Sequence, residues 1–415
     1  MIQNNKAIIV KIKNVRKHCN ADRLNCTDIF GYNIIVGLEV KVGDIGLYFP
    51  EGVQLSTEFC EANNLVRKKD ENGNVTGGMF EESRRVKTLK LRKEKSEGFF
   101  IPLSSLSSFG DISTLKENDC LDVFGGKEIC RKYVSEATLR RSKGQVQAKP
   151  ENFMMCRHVE TSHLRQNLTS INVGDILYVS EKWEGTSFRC GKILEQIKLP
   201  KWKSYLYSFV NIFIPVNLFK WTDSHGSRNV VLGDECDPLR KSIRDTFIGK
   251  LYNGESVYGE CVGYDGLAAI RPPVDNSKIS KEFVAQFGEK THWNYGCKPG
   301  QHRLAVYRIT QTSTDGSCVE LSWPQVKRRC GELGVDNVNE LCRPIVFDGD
   351  AEKLNNLIET LSDGKSEIDH HWKEGAVVRV ESTTGKTYFL KHKNFTYKLL
   401  EGIVKEKTVD EEDAS

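Results

Sequence analysis

Over the first hundred residues apolar and polar positions alternate in short runs: KAIIVKIKNV, YNIIVGLEV, DIGLYF, RRVKTLKL and GFFIPL, separated by the turn-forming pieces NAD, VGD and DENGNVTGG. Period-two alternation predicts strands with one face on a core, and short strands punctuated by such turns predict a small antiparallel barrel or sandwich. Residues 131–150, RKYVSEATLRRSKGQVQAKP, are basic and polar with little periodicity and end on a proline. They read as a linker, partly helical. From residue 151 onward strands alternate with helices. DILYVSEKWEG, ESVYGECVGY, HRLAVYRIT and the hairpin AVVRVE-STTGK-TYFLKHK read as strands, whereas KSIRDTFIGKLYN and AEKLNNLIETLSDG carry apolar residues at helical spacing, the second closing on a glycine suited to a helix stop. The tail KEKTVDEEDAS is charged, lacks apolar content and is expected to be disordered. The class predicted is α+β.

A chain of 415 residues is long enough for two domains, each with its own core. With a formal net charge of +4, nothing at the level of the whole chain demands a polyanionic partner, so any nucleic-acid footprint must be local. Thirteen cysteines without a CxxC pair, and an N-terminus without a basic-then-apolar signal pattern, predict reduced, mostly core cysteines in an intracellular protein, cytoplasmic or nuclear. The stretch YLYSFVNIFIPVNLFKW, 205–221, is interrupted by Asn211, Pro215, Asn217 and Lys220 and falls short of the ~20 apolar residues of a bilayer span. It is read as part of an insertion over about 196–221, and no membrane partner is expected.

Candidate chemistry centres on Glu181-Lys182-Trp183-Glu184-Gly185-Thr186-Ser187, which follows the apolar strand DILYV. A lysine at a strand end, desolvated and near other cations, has its pKa lowered toward neutrality and becomes a nucleophile. A glycine beyond it lets the backbone turn close to a phosphate. Alone, Lys-x-Glu-Gly is a weak signal. Downstream, in order, come Ser227-Arg228-Asn229, Val257-Tyr258-Gly259-Glu260, Ala305-Val306-Tyr307-Arg308, Glu374-Gly375-Ala376-Val377-Val378 and Leu390-Lys391-His392-Lys393. Attack on a phosphorus centre needs a nucleophile, cations that spread charge, and carboxylates that hold a metal or its waters. Lys182 supplies the first. Lys391 and Lys393, two apart on a strand and so on one face, and Arg228 supply the second. Glu184, Glu260 and Glu374 supply the third.

This ordered set resembles the covalent nucleotidyltransferase superfamily of ATP-dependent ligases and mRNA capping enzymes. The resemblance implies a lysyl-AMP on Lys182, with Glu184, Glu260 and Glu374 contacting ribose and organising Mg2+ or Mn2+, in part through water. It also implies Tyr307 stacked on adenine and Glu181 accepting the adenine amino group. Glu184 departs from the aspartate, histidine or asparagine usual at its position, being one methylene longer than aspartate.

With about twenty residues after Lys393, the C-terminal OB barrel of cellular DNA ligases and capping enzymes is not expected here. Instead Val42-Gly43-Asp44, Tyr48-Phe49-Pro50-Glu51-Gly52, Val86-Lys87-Thr88-Leu89-Lys90-Leu91-Arg92 and Ser96-Glu97-Gly98-Phe99-Phe100-Ile101-Pro102 are similar to the N-terminal OB module of the Deinococcus and Naegleria type of RNA ligase. Arg157-His158-Val159-Glu160-Thr161 resembles that family's entry into its catalytic domain, which implies that Arg157 meets the β and γ phosphates or the polynucleotide. His18-Cys19-Asn20-Ala21-Asp22-Arg23-Leu24 resembles a segment of tRNA-binding OB modules, as turn or as contact.

The organisation implied is an OB-like β-barrel over 1–130, a linker over 131–150, an antiparallel-sheet nucleotidyltransferase domain over 151–402, and a charged tail over 403–415. Lys87, Lys90, Arg92, Lys93 and Lys95 form either a phosphate-tracking cluster or a solvated face. The function implied is joining of 3′-hydroxyl and 5′-phosphate RNA ends, with sealing of nicked duplexes, including RNA–DNA hybrids, in RNA repair. The rivals are a capping-type guanylyltransferase and a noncatalytic RNA-binding protein that keeps the fold.

Overall fold

The computed structural model describes residues 2–69, 75–92, 94–134, 148–149, 151–197, 219–278, 281–401 and 404–405. Most of the expected linker, insertion and tail, together with Lys93 of the basic cluster, lies outside the described residues. Among those described, no helix is long and apolar enough to cross a membrane.

Alternation shapes the N-terminal part. Strands Phe99–Pro102, Ile45–Phe49, Ala7–Lys11 and Cys120–Leu121 form a four-stranded antiparallel sheet in that order. Its middle is buried on both faces. Ala7, Ile9, Leu47 and Phe49 enter one apolar cluster, and Ile8, Val10 and Tyr48 enter another on the opposite side. Beside it lies a three-stranded meander of Arg16–Lys17, Leu24–Ile29 and Tyr32–Gly37, and Thr88–Leu91 pairs with Glu94–Glu97. The strands called from the sequence are present, but among the described residues their pairings break into separate sheets, and no closed barrel forms.

In the remainder two larger sheets face one another. One has five strands in the order Ser162–His163, Thr387–Lys393, Gly375–Glu381, Ile176–Glu181 and Ile345–Val346, antiparallel except at the first pair. The other has nine, with Phe219–Gly226, Thr186–Gln196, Glu255–Asp265 and His302–Thr312 adjacent and antiparallel through its middle. The architecture is α+β with mostly antiparallel sheets.

Helix Ala351–Ser362 lies where the spacing puts it, capped by the Asp350 carboxylate accepting from Lys353 N–H; it stops at Asp363, one residue before Gly364. The other expected helix is displaced. It spans Pro238–Asp245, starting at an Asp237 cap with proline in the first turn, and gives way to tight turns in which Phe247 N–H bonds Arg244 O and Lys250 N–H bonds Phe247 O. Those turns keep Ile243, Phe247 and Leu251 on one core, so apolar spacing outlasts the helix.

The N-terminal part is fastened to the rest by polar contacts. Lys398, from helix Phe395–Leu400, reaches Glu51 at 2.5 Å and Glu97 at 3.9 Å. Arg165 donates to Gly31 O and lies 3.8 Å from Glu97, and Val404–Lys405 runs parallel to Thr88–Leu89. Several cations of the 87–95 cluster also serve internal contacts. Lys87 pairs with Glu81, Arg92 donates to Asn20 O, and the Lys95 ammonium sits 3.4 Å from the centre of the Phe395 ring.

Candidate active site

Strand Ile176–Glu181 belongs to the five-stranded sheet and Thr186–Gln196 to the nine-stranded one, so the segment 182–185 is the crossing between them. It must pass close to both. A Cβ on Gly185 would lie 2.2 Å from Cys261 O, and one on Gly375, whose φ is +150°, would lie 2.0 Å from His392 O. Only glycine fits either place. Gly375 O in turn accepts the Lys182 N–H at 3.0 Å, which fixes the lysine backbone against the strand that follows Glu374.

The Lys182 side chain lines a cavity of about 190 Å³ between the sheets and donates to Glu374 Oε2 at 2.7 Å. Lys393 approaches the other oxygen, Oε1, at 2.9 Å, and the Glu374 side chain is 1% exposed. Burial raises the Glu374 pKa, but Lys182 and Lys393 outweigh it and the carboxyl is held well below the usual range. Burial works equally against the Lys182 ammonium, yet Glu374, Glu184 and Glu260 overcome it and the pKa stands above the ordinary lysine value. The depressed pKa expected of Lys182 is therefore not found in this state. Its expected cations are nearby, but three carboxylates prevail. Lys391 shows the expected behaviour instead, lowered to about 7 by burial and by Lys393, Lys182 and Arg228.

Glu260 follows a register shift between Tyr258 and Gly259 on strand Glu255–Asp265, the kind of irregularity that re-aims a side chain. Its carboxyl lines the cavity, accepts weakly from Ser187 Oγ at 3.4 Å, and is pushed up by burial to about 7. Glu184 is held from behind, by Arg271 Nε at 2.9 Å and by the Tyr397 hydroxyl at 2.8 Å; burial and Glu374 push its pKa up. Arg228 is exposed at the cavity lining.

Tyr307 lines the cavity, its hydroxyl sharing a 2.5 Å hydrogen bond with His158 Nδ1. Glu181 is buried, and Oε2 accepts from Asn339 Nδ2 at 2.9 Å and Ser366 Oγ at 2.8 Å. Its carboxylate is thus engaged within the protein. Asn339 Oδ1 also accepts from Trp183 Nε1, clamping the residues on both sides of Lys182. Arg157 is not gathered to the cavity: it is exposed and paired with Glu151. Arg271, Tyr397, Asn339 and His158 have no counterpart in the sequence reading of roles, since each acts through a contact more than eighty residues distant in the chain.

A lysine on buried carboxylates, ringed by three further cations in a cleft between two sheets, is arranged for transfer chemistry on a phosphate. The RNA ligase family model matches residues 175–399, more than half of the chain, including the cleft residues from Lys182 to Lys393 but not His158. The chain belongs to the RNA ligase family. This RNA ligase family member is similar in fold to a lysine-to-methionine mutant of Naegleria gruberi RNA ligase with AMP and Mn, with a TM-score of 0.62 and 16% identity over 96% of this chain and 99% of that one. A lysine-to-alanine mutant of the same enzyme with ATP and Mn gives 0.61 and 16% over 95% and 98%, and the enzyme with pyrophosphate 0.62 and 16% over 95% and 98%. A comparison with curated proteins gives no match.

Proposed function

We propose that this chain is an ATP-dependent RNA ligase working through lysyl-AMP on Lys182. Lys182 Nζ, as the neutral amine, attacks the α-phosphorus of ATP; the N–P bond forms, and the bond to pyrophosphate breaks with the electron pair leaving on pyrophosphate. A 5′-phosphate oxygen of RNA then attacks that phosphorus, the N–P bond breaking with its electron pair returning to Lys182 Nζ; a 3′-hydroxyl, losing its proton, finally attacks the 5′-phosphorus and expels AMP with the electron pair of the broken P–O bond, closing the strand.

The donor set fits Mg2+ or Mn2+, the latter being the ion solved with the Naegleria enzyme. Glu184 and Glu260 are half-buried carboxyls with raised pKa values beside the buried Glu374, a crowding of acidic groups that a divalent ion would relieve. Such an ion supplies charge stabilisation at the phosphates. Were an ion held by Glu184 and Glu260, those carboxylates would act less on Lys182, and burial and the neighbouring cations, which favour the neutral amine, would weigh more. Lys391, Lys393 and Arg228 receive the phosphates, Tyr307 stacks on adenine, and Arg157 faces the polynucleotide at the surface. Glu181 holds the Lys182 segment through Asn339.

Residues 1–130 serve as an OB-like RNA-binding unit and 151–402 as the nucleotidyltransferase, each with apolar clusters of its own. The substrates are RNA ends or nicked duplexes, RNA–DNA hybrids included, in the cytoplasm or nucleus, where thirteen free cysteines are at home.

The observation that carries the reading is Lys182 Nζ at a cavity between two sheets, 2.7 Å from a buried carboxylate that a second lysine shares. Incubation with α-labelled ATP, and separately GTP, tests it. Label from ATP that survives denaturing electrophoresis and vanishes in Lys182→Ala is expected. Label from GTP alone would move the chain to capping chemistry, and no label from either in protein free of bound AMP would remove the catalytic assignment.

A further inference from the structure

The turn between strands Arg16–Lys17 and Leu24–Ile29 folds back onto strand Glu94–Glu97. It brings one ring nitrogen of His18, the Cys19 thiol and a Glu94 carboxylate oxygen within 4.8 Å of one another. A fourth donor stands beside them: Cys26 Sγ is 3.2 Å from Glu94 Oε2 and fully buried. The His18 ring is 4% exposed, and while Nδ1 accepts the Asn20 N–H at 3.1 Å, Nε2 is buried without a hydrogen-bond partner. An imidazole left half-used in a buried place costs free energy unless something else engages it.

We propose that His18, Cys19, Cys26 and Glu94 form a structural site for one Zn2+. Two sulfurs, a nitrogen and a carboxylate oxygen are a donor set that zinc takes in a closed tetrahedron, whereas Mg2+ and Mn2+ prefer oxygen. Bond lengths of about 2.0–2.3 Å put tetrahedral donors roughly 3.3–3.8 Å apart, so His18, Cys19 and Glu94 need close by only about an ångström, while Cys26, which touches Glu94 but stands outside that group of three, needs the turn to close further onto its strand. The exposed turn carrying Cys19 supplies that movement. Binding releases the two thiol protons. Charge then balances: two thiolates and one carboxylate leave a zinc centre one unit negative, and Arg16, already on Glu94 at 2.6 Å, neutralises it as an outer partner.

The ion pins the 18–24 turn to the strand whose Lys95 covers Phe395, at the start of the helix that also holds Tyr397 against Glu184. This role is independent of ligase chemistry.

The test uses the full chain, stripped with chelator and titrated with Co2+. A thiolate-to-cobalt charge-transfer band should rise to a single equivalent, be displaced by Zn2+, survive in Cys342→Ser, and be lost in Cys19→Ser/Cys26→Ser and in His18→Ala. The oxygen donors of the catalytic cleft give no such band, which keeps this outcome separate from that of the labelling assay. Zn2+ should also raise the melting temperature of the wild type and not of the double variant. A folded, stripped wild type with no band, or a band that persists in the double variant, would overturn the proposal.

Discussion

Lys182 and Glu374 are 192 residues apart in the chain and 2.7 Å apart in the fold, with the carboxylate sealed from solvent. Because Lys393 uses the other oxygen, this one carboxylate sets the position of two cations at once. Glu374→Gln keeps the shape and removes the charge. It is expected to cost about 1–3 kcal/mol in urea unfolding and to reduce lysyl-AMP formation by roughly a hundredfold or more. Full labelling by the variant would show that Glu374 is structural only.

Glu260 carries a stability signature. Its folded pKa, about 7, lies above the ordinary glutamate value of 4.5, so the fold prefers the protonated form. Its contribution is present in full below about pH 4.5 and is lost as pH rises through 7. Metal-free wild type should therefore lose stability across that window, and Glu260→Gln should lose less. Melting temperatures from pH 4.5 to 8 measure the difference; parallel curves for the two proteins would contradict the assignment.

Lys391 titrates with the opposite sense. Its folded pKa of about 7 lies below 10.5, so the unfolded chain holds the proton more tightly. Stability from this group is present above the unfolded value and is lost as pH falls through 7. Lys391→Met should stabilise the ligand-free chain at pH 6 while abolishing labelling. Pyrophosphate should raise the melting temperature of the wild type more than that of the variant.

Lys398 supports the junction between the N-terminal part and the rest, with side-chain exposures of 9% for the lysine and 13% for Glu51. Lys398→Ala leaves Glu51 and Glu97 without that cation. A loss of about 3–5 kcal/mol is expected, along with faster cleavage of the junction in limited proteolysis.

Arg157 separates the early step from the later ones. Paired with Glu151 on the surface, it is outside the cavity. Arg157→Ala is expected to form lysyl-AMP at the wild-type rate and to seal nicked RNA more slowly, which single-turnover assays of the two steps resolve.

Lys182, the two strand lysines and the glutamates could be singled out as candidates because each sits in a short local pattern on or beside a strand. Gly185 was read as a turn near a phosphate, whereas the approach it makes is to Cys261 O, and Gly375 against His392 O was not foreseen at all. The sign of the Lys182 shift was not legible either. It depends on how many carboxylates arrive from strands far away in sequence, and alternation of side chains says nothing of that. Arg271, Tyr397 and Asn339 were hidden likewise, each being an ordinary residue in its own segment. In the N-terminal part, alternation located Ala7–Lys11, Ile45–Phe49 and Phe99–Pro102, but closure is a property of which edges meet, and separate sheets resulted.

The parallel pairing of Val404–Lys405 with Thr88–Leu89 has a consequence for synthesis on the ribosome. Thr88 emerges more than three hundred residues before the neighbour that will flank it, a delay of roughly 15–60 s at usual translation rates. For that interval the strand has an open side, and Glu51 and Glu97 lack Lys398. The nascent N-terminal part is thus a waiting template, and a stalled or truncated polypeptide would present a sticky strand rather than a finished, quiet half-molecule.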